Sequence, residues 1–183
     1  MDIQQYTSPD KLERYSFLTL LSALGFSAIA LFNGGYPIIT MILGYSNSYS
    51  LLSIAWLVSG AAAVYLSYLY WKNNKKVFGG GDKKSELAFL FALLLGYNLG
   101  LTALIRENIF FNIFHGTILF VAFGVLCVVV GYILYTKWKS NDEKLFVVSS
   151  RVAVGNEPTN DEVTNISSMN QAQNNDDVAT DNN

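Results

Sequence analysis

Residues 86–135 decide the fold: the chain reads ELAFLFALLLGYNLGLTALI over 86–105 and GTILFVAFGVLCVVVGYILY over 116–135. Each run has the roughly 20 residues that a helix needs to cross a hydrocarbon core of about 30 Å. The polar hinge Arg106-Glu107-Asn108 lies between them. This stretch therefore predicts two membrane-spanning helices joined by a short polar connection.

Charge is scarce in the rest of the chain and is confined to short stretches. Only 14% of the 183 residues are charged and 51% are hydrophobic, whereas soluble domains carry about 25% charged residues. Between Ser16 and Trp71 there is no Asp, Glu, Lys or Arg. Lipid is therefore the predicted solvent of this region as well. The chain has no basic cluster typical of nucleic-acid binding, and its one cysteine, Cys127, excludes an internal disulfide.

We therefore predict an all-α polytopic membrane protein with four transmembrane helices in a bundle of two α-hairpins. The predicted spans are 16–43 with a break at 33–37, 51–71, 86–106 and 116–136. Together they form a transmembrane domain over 16–139, preceded by a cytoplasmic segment at 1–15. The tail at 140–183 is predicted to be disordered and cytoplasmic, because it is rich in Asn, Asp, Ser and Thr and poor in residues that build a core.

The first span is longer than a membrane requires. Ser8-Pro9-Asp10 is typical of a helix start, and the apolar run that follows predicts an uncleaved anchor, with a signal peptide as the rival interpretation. A helix over 16–43 would be about 42 Å long. The break at 33–37 leaves three interpretations: a segment along the outer interface, a kinked helix, or a re-entrant loop. The first two are favoured.

The basic residues predict the orientation in the membrane. Two precede the first span, five lie between the second and third, and four follow the fourth, so that Arg106 alone of the twelve falls on the opposite side. By the positive-inside rule both termini are cytoplasmic, and residues 36–50 and 106–116 face outward. We expect the protein to lie in the cell membrane.

Small residues mark helix faces that can approach another backbone closely. In the second span Ala55, Ser59, Ala63 and Ser67 recur every fourth residue, with Gly60 beside them. The third span contains Gly96 and Gly100 at GxxxG spacing. Such spacing is typical of helix packing in membranes, so both faces are predicted to pack against a helix that the sequence does not identify.

The polar residues at the predicted outer end form a candidate entrance, which consists of Arg106, Glu107, Asn112 and His115. In this hypothesis Asn98 and Tyr97 lie deeper in the third span, and Asn33, Tyr36, Tyr45 and Tyr49 of the first hairpin face the entrance. Simpler explanations exist, since an arginine at a helix C-terminus is stabilised by the helix dipole and reaches the headgroups. Asn98 is equally well explained as an interhelical hydrogen-bond partner.

Three functional hypotheses follow. The favoured one is a non-enzymatic structural or accessory subunit that packs with itself or with a larger membrane complex, because the middles of the spans lack ionisable residues. The second is a small-solute or ion transporter or channel entered at Arg106, Glu107 and His115. The third is a haem or redox subunit, for which a single histidine supplies only one ligand. No cofactor or metal is expected.

Overall fold

The computed structural model describes residues 8–80, 82–109 and 116–146, and this part of the chain is helical without strands. The helices are α1 (Pro9–Phe32), α2 (Ile38–Leu43), α3 (Tyr45–Lys72), α4 (Lys83–Ile105) and α5 (Thr117–Ser140). In these ranges four helices, all except the six-residue α2, are long and apolar enough to cross a membrane. The prediction of an all-helical chain with four such helices is confirmed.

Two helix starts differ from the prediction. Helix α3 begins at Tyr45 rather than at residue 51, the predicted start of the second span. In its first turn, Ser48 Oγ donates to the carbonyl of Gly44 over 2.7 Å. Helix α4 begins at Lys83 rather than at residue 86, and Asp82 caps it by accepting from the Lys84 amide.

The chain stops being helical at 33–37 instead of running through as a kinked helix. The amide of Gly35 donates to the carbonyl of Ala30 over 2.7 Å, and Asn33 Nδ2 donates to the carbonyl of Tyr36 over 2.9 Å. Gly34 and Gly35 have φ angles of 70° and 90°, a backbone conformation that glycine adopts without strain. The break therefore follows directly from the Asn-Gly-Gly sequence, and α2 continues beyond it beside α3.

The most extensive helix contacts join α3 with α4 and α1 with α5. The helices of each predicted hairpin, α1 with α3 and α4 with α5, also touch, but over smaller areas. The division into two hairpins is therefore not confirmed by the packing. Helix α1 contacts three of the other long helices, and its residues Phe17, Leu20 and Leu24 are almost completely buried.

Helices α3 and α4 approach each other most closely where both carry glycine. A methyl group added to Gly60 would lie 2.7 Å from the Cα atom of Gly100, and one added to Gly96 would lie 2.8 Å from Cβ of Ala63. Tyr97 donates across the same interface to Ser67 Oγ over 2.7 Å. The small-residue faces predicted on the second and third spans therefore pack against each other within one chain.

Three polar segments meet at one end of the bundle. The amide of Phe78, in the loop between α3 and α4, donates to the carbonyl of Leu145 over 2.7 Å. Glu13, near the start of α1, accepts from the amide of Leu145 over 2.8 Å. Lys137 of α5 lies 3.0 Å from the Asp82 carboxylate. The basic loop and both ends of the helical region are thus neighbours.

The segment after α5 packs against the bundle. Leu145 is 0% exposed and Phe146 7% exposed, and the Phe146 ring lies edge-on to that of Phe89, with ring centroids 6.1 Å apart. The predicted start of the tail at residue 140 therefore falls inside the packed structure. Residues 147–183, which carry the rest of the predicted tail, lie outside the described residues.

Asp82 predicts a pH dependence of stability. Its hydrogen bonds from Ser85 and Lys137 lower the pKa of its carboxyl from the usual 3.8 to about 2. Because this pKa is lower in the folded chain, the carboxylate stabilises the fold fully above about pH 4 and loses that effect as the pH falls toward 2. We expect the wild-type melting temperature in detergent to exceed that of Asp82→Asn above pH 4 and to converge on it below. A difference that stays constant with pH would contradict this role.

Candidate functional site

A large cavity opens between the helices. Its volume is about 1140 Å³, slightly above the range of about 300–1,000 Å³ that is usual for small-molecule sites. Helices α1 and α2 and the N-terminal half of α3 form most of its wall, and α4 and α5 close the remaining side. The residues that line the cavity include Tyr15, Phe26, Ile39, Tyr49, Ala55, Trp56, Asn98, Thr102, Arg106, Asn108 and Phe123.

The cavity is long and mostly apolar. Its α1 wall runs from Tyr15 to Leu31, about 24 Å of helix at 1.5 Å per residue, and continues into the turn at Gly35. Leucine, isoleucine, alanine and phenylalanine side chains make up most of this surface. The amide and guanidinium side chains lie at one end, on α4 and the segment after it, whereas the hydroxyl groups of Thr19, Ser22 and Ser27 lie along α1. Such a shape suits a molecule with a long apolar part and a polar part at one end.

Asn98 is the most informative polar residue in the cavity wall. Its side chain is buried, with the residue 7% exposed, and its Nδ2 donates to Asn108 Oδ1 over 3.0 Å. Its Oδ1 is shielded from solvent and accepts no hydrogen bond in the part of the chain that the structure describes. A buried acceptor without a donor costs about 1–3 kcal/mol. Asn98 therefore has one hydrogen-bond acceptor that is not used by the described residues.

Arg106 sits where the cavity meets the end of α4. It adopts a left-handed conformation with φ 61° and ends the helix, its amide donating to the carbonyl of Thr102 over 3.0 Å. The guanidinium lies over the Tyr49 ring, with its Cζ atom 5.9 Å from the ring centroid. Within the described ranges it forms no ion pair with a carboxylate. The exposed positive charge is therefore available to an anion at the mouth of the cavity.

Five of the other predicted site residues do not line the cavity. Gly96, Tyr97 and Gly100 belong to the contact between α3 and α4 and do not line the cavity. Asn33 holds the turn after α1 through its hydrogen bond to Tyr36. Glu107 is exposed and is not part of the cavity wall. Asn112 and His115, the remaining members of the predicted entrance, lie outside the described residues.

Two polar residues of the wall were not predicted from the sequence. Asn108 reaches Asn98 because the left-handed turn at Arg106 folds the chain back over the end of α4. Thr102 is buried, and its hydroxyl donates to the carbonyl of Asn98 over 2.7 Å. The spacing of Asn98, Thr102 and Arg106 by four residues places all three on one face of a helix, and this was the signal that the sequence offered.

The polar groups of the cavity wall are suited to binding. Its polar groups are amides, hydroxyls and one guanidinium, which recognise hydrogen-bonding and anionic groups. Within the described residues, His, Cys, Asp and Glu side chains form no group of three that could hold a metal ion. Cys127 lines the apolar part of the wall and is buried. The wall therefore combines a large apolar surface with a few groups that can bind polar or anionic atoms.

The chain matches no protein-family model, no curated protein and no solved structure.

Proposed function

We propose that this protein is a non-enzymatic integral protein of the cell membrane that binds an amphiphile in the cavity between α1 and α3. The observation that carries the proposal is the cavity itself, with its volume of about 1140 Å³, its apolar length and its polar end. Four helices that are long and apolar enough to cross a membrane support a location of the cavity in a bilayer. There its apolar wall would be open to molecules that already reside in the lipid.

The proposal retains part of the solute-pathway hypothesis. Arg106 and Asn98, which that hypothesis placed at the entrance and deeper in the protein, both line the cavity. The apolar wall favours a molecule with a hydrocarbon part over an ion or a polar solute, since ion pathways are lined by polar or charged groups. Binding of an amphiphile is the step that a carrier, a receptor and a lipid-regulated subunit would have in common.

Trp56 provides a direct measurement of binding, because it lines the cavity whereas Trp71 and Trp138 do not. The purified protein is reconstituted in phosphatidylcholine nanodiscs and titrated with a lysolipid whose acyl chain carries bromine atoms, which quench tryptophan fluorescence on contact. We expect saturable quenching in the wild type and loss of the saturable component in Trp56→Phe. Quenching that rises linearly in both proteins would show simple partitioning into the bilayer.

A larger side chain in the cavity should block binding. Ala55 and Ala61 are both exposed alanines of α3, but only Ala55 lines the cavity. We expect Ala55→Phe to weaken saturable quenching of Trp56 at least about tenfold, which corresponds to about 1.4 kcal/mol. Ala61→Phe adds the same volume to the same helix outside the cavity and should leave the affinity unchanged. Equal effects of the two variants would count against the cavity as the binding site.

The subunit hypothesis remains a second candidate, supported by α5. Of the four long helices, α5 buries the smallest share of its apolar stretch, 22%. A methyl group added to its Gly131 would meet no atom within 4 Å. This surface can face lipid or a second membrane helix. We propose that a copy of the chain or another membrane protein packs there, and mass measurement of the protein in native nanodiscs distinguishes a monomer from an assembly.

A further inference from the structure

The polar end of the cavity is complementary to two different chemical groups of a ligand. Asn98 Oδ1 is a buried acceptor without a donor in the described ranges, so a ligand that matches it brings a hydroxyl or an N–H group. Arg106 is an exposed cation without an ion pair there, so a matching ligand brings an anion. Arg and phosphate form charge-assisted hydrogen bonds that are stronger than those between neutral groups.

The order of these two groups along the cavity is fixed by α4. Arg106 lies eight residues beyond Asn98, about 12 Å further along the helix axis. The apolar wall continues from Asn98 past Leu95 and Phe91 toward the opposite end. A matching ligand therefore carries its anionic group at one end, next to Arg106, then a hydrogen-bond donor next to Asn98, and then a hydrocarbon chain.

This order discriminates among membrane lipids. A diacyl phospholipid has no free hydroxyl between its phosphate and its chains, because both glycerol hydroxyls are esterified. Phosphatidylglycerol carries its free hydroxyls on the far side of the phosphate. A fatty acid supplies an anion and a chain but no donor between them. A lysophospholipid carries a phosphate, then a free glycerol hydroxyl, then one acyl chain.

We propose that the cavity binds an acidic lysophospholipid, with its phosphate on Arg106, its glycerol hydroxyl donating to Asn98 Oδ1 and its acyl chain along α1 and α3. The inference rests on the proposed function and names its ligand class. Because Asn98 Oδ1 is shielded from solvent in this structure, binding of the hydroxyl requires the side-chain amide of Asn98 to rotate toward the cavity. That rotation exchanges the hydrogen bond from Asn98 Nδ2 to Asn108 Oδ1 for the hydrogen bond from the ligand hydroxyl.

Four brominated probes test the ligand class on the unmodified protein by Trp56 quenching. They are lysophosphatidic acid, its deoxy analogue without the glycerol hydroxyl, lysophosphatidylcholine and a fatty acid. We expect lysophosphatidic acid to bind about tenfold more tightly than the deoxy analogue, since a buried acceptor is left unpaired by the latter. It should bind about fivefold more tightly than lysophosphatidylcholine, whose choline offsets the phosphate charge near Arg106. The fatty acid should bind more weakly than lysophosphatidic acid.

Two variants assign these preferences to residues. Arg106→Gln should abolish the preference for lysophosphatidic acid over lysophosphatidylcholine, while Arg14→Gln, which removes an arginine at the opposite end of the bundle, should preserve it. Asn98→Leu should abolish the preference for the hydroxyl. If Asn98→Leu fails to fold, the deoxy analogue on the wild-type protein decides the role of the hydroxyl by itself.

The results separate the inference from the function on which it rests. Absence of saturable quenching with all four probes would overturn the proposed function. Saturable binding with equal affinity for lysophosphatidic acid and its deoxy analogue would overturn the hydroxyl assignment alone. A headgroup preference that survives Arg106→Gln would overturn the phosphate assignment, and in either case the amphiphile site would stand.

Discussion

Replacing Gly60 or Gly100 by alanine is expected to destabilise the folded bundle by about 2–3 kcal/mol, the effect of overpacking a close contact. A methyl group on Gly60 would lie 2.7 Å from the Cα atom of Gly100, and one on Gly100 would lie 2.8 Å from the Cα atom of Gly60. The obstructing atoms belong to the backbone, so relief requires α3 and α4 to move apart. Thermal unfolding of the purified protein in detergent, followed by circular dichroism, measures the loss.

Two other helical glycines provide matched controls. A methyl group on Gly25 of α1 or Gly131 of α5 would meet no atom within 4 Å. Alanine is favoured over glycine inside a helix by about 1 kcal/mol, so Gly25→Ala and Gly131→Ala should be neutral or stabilising. If Gly60→Ala behaved like these two controls, the close approach of α3 and α4 would not determine stability.

The small-residue pattern shows what sequence could and could not predict here. GxxxG spacing at 96–100 and the small face of the second span predict a close approach of helices, because bulkier side chains would prevent it. The pattern does not state which helix is the partner, since lipid-facing and helix-facing surfaces are equally apolar. The structure shows that Gly60 and Gly100 are partners of each other.

The cavity was less accessible to sequence reasoning than the spans. The length of an apolar run predicts a membrane helix directly, whereas a cavity depends on gaps between helices whose packing is unknown. The sequence predicts Arg106 and Asn98 as site residues, because polar side chains are rare in and next to apolar spans. Asn108 was not chosen, because a non-glycine residue in the left-handed conformation at Arg106 has no signature that would show the chain turning back over α4.

The buried segment after α5 was also missed, for a different reason. The apolar run Leu145-Phe146-Val147-Val148 is followed by a long polar stretch, and a window averaged across that boundary has the composition of a disordered tail. A run of four apolar residues predicts at most docking on the membrane surface, and it does not predict packing against the helices. The structure shows that Leu145 and Phe146 fill the end of the bundle, where Glu13 accepts from the amides of both.

Leu145→Ala is expected to destabilise the protein by about 2–5 kcal/mol, the usual effect of truncating a buried leucine. Leu145 is 0% exposed, and its carbonyl accepts from Phe78 while its amide donates to Glu13. Loss of the side chain therefore weakens a contact that joins three segments of the bundle. Thermal unfolding reports the stability, and hydrogen exchange at residues 145 and 146 reports release of the segment. Leu87→Ala, which truncates a leucine that is 66% exposed, should have a much smaller effect.

Glu13 variants show whether the backbone hydrogen bonds or the charge hold this segment. Glu13→Gln keeps a side-chain oxygen that can accept from Leu145, whose amide now lies 2.8 Å from Glu13 Oε1. Glu13→Ala leaves that amide without its acceptor, for which we expect a loss of about 1–3 kcal/mol and faster exchange at residues 145 and 146. Glu13→Gln should stay close to the wild type, because an amide is less costly to bury than a carboxylate. If Glu13→Gln and Glu13→Ala released the segment equally, the negative charge would be what holds it, through Lys144 or another basic residue at this end of the bundle.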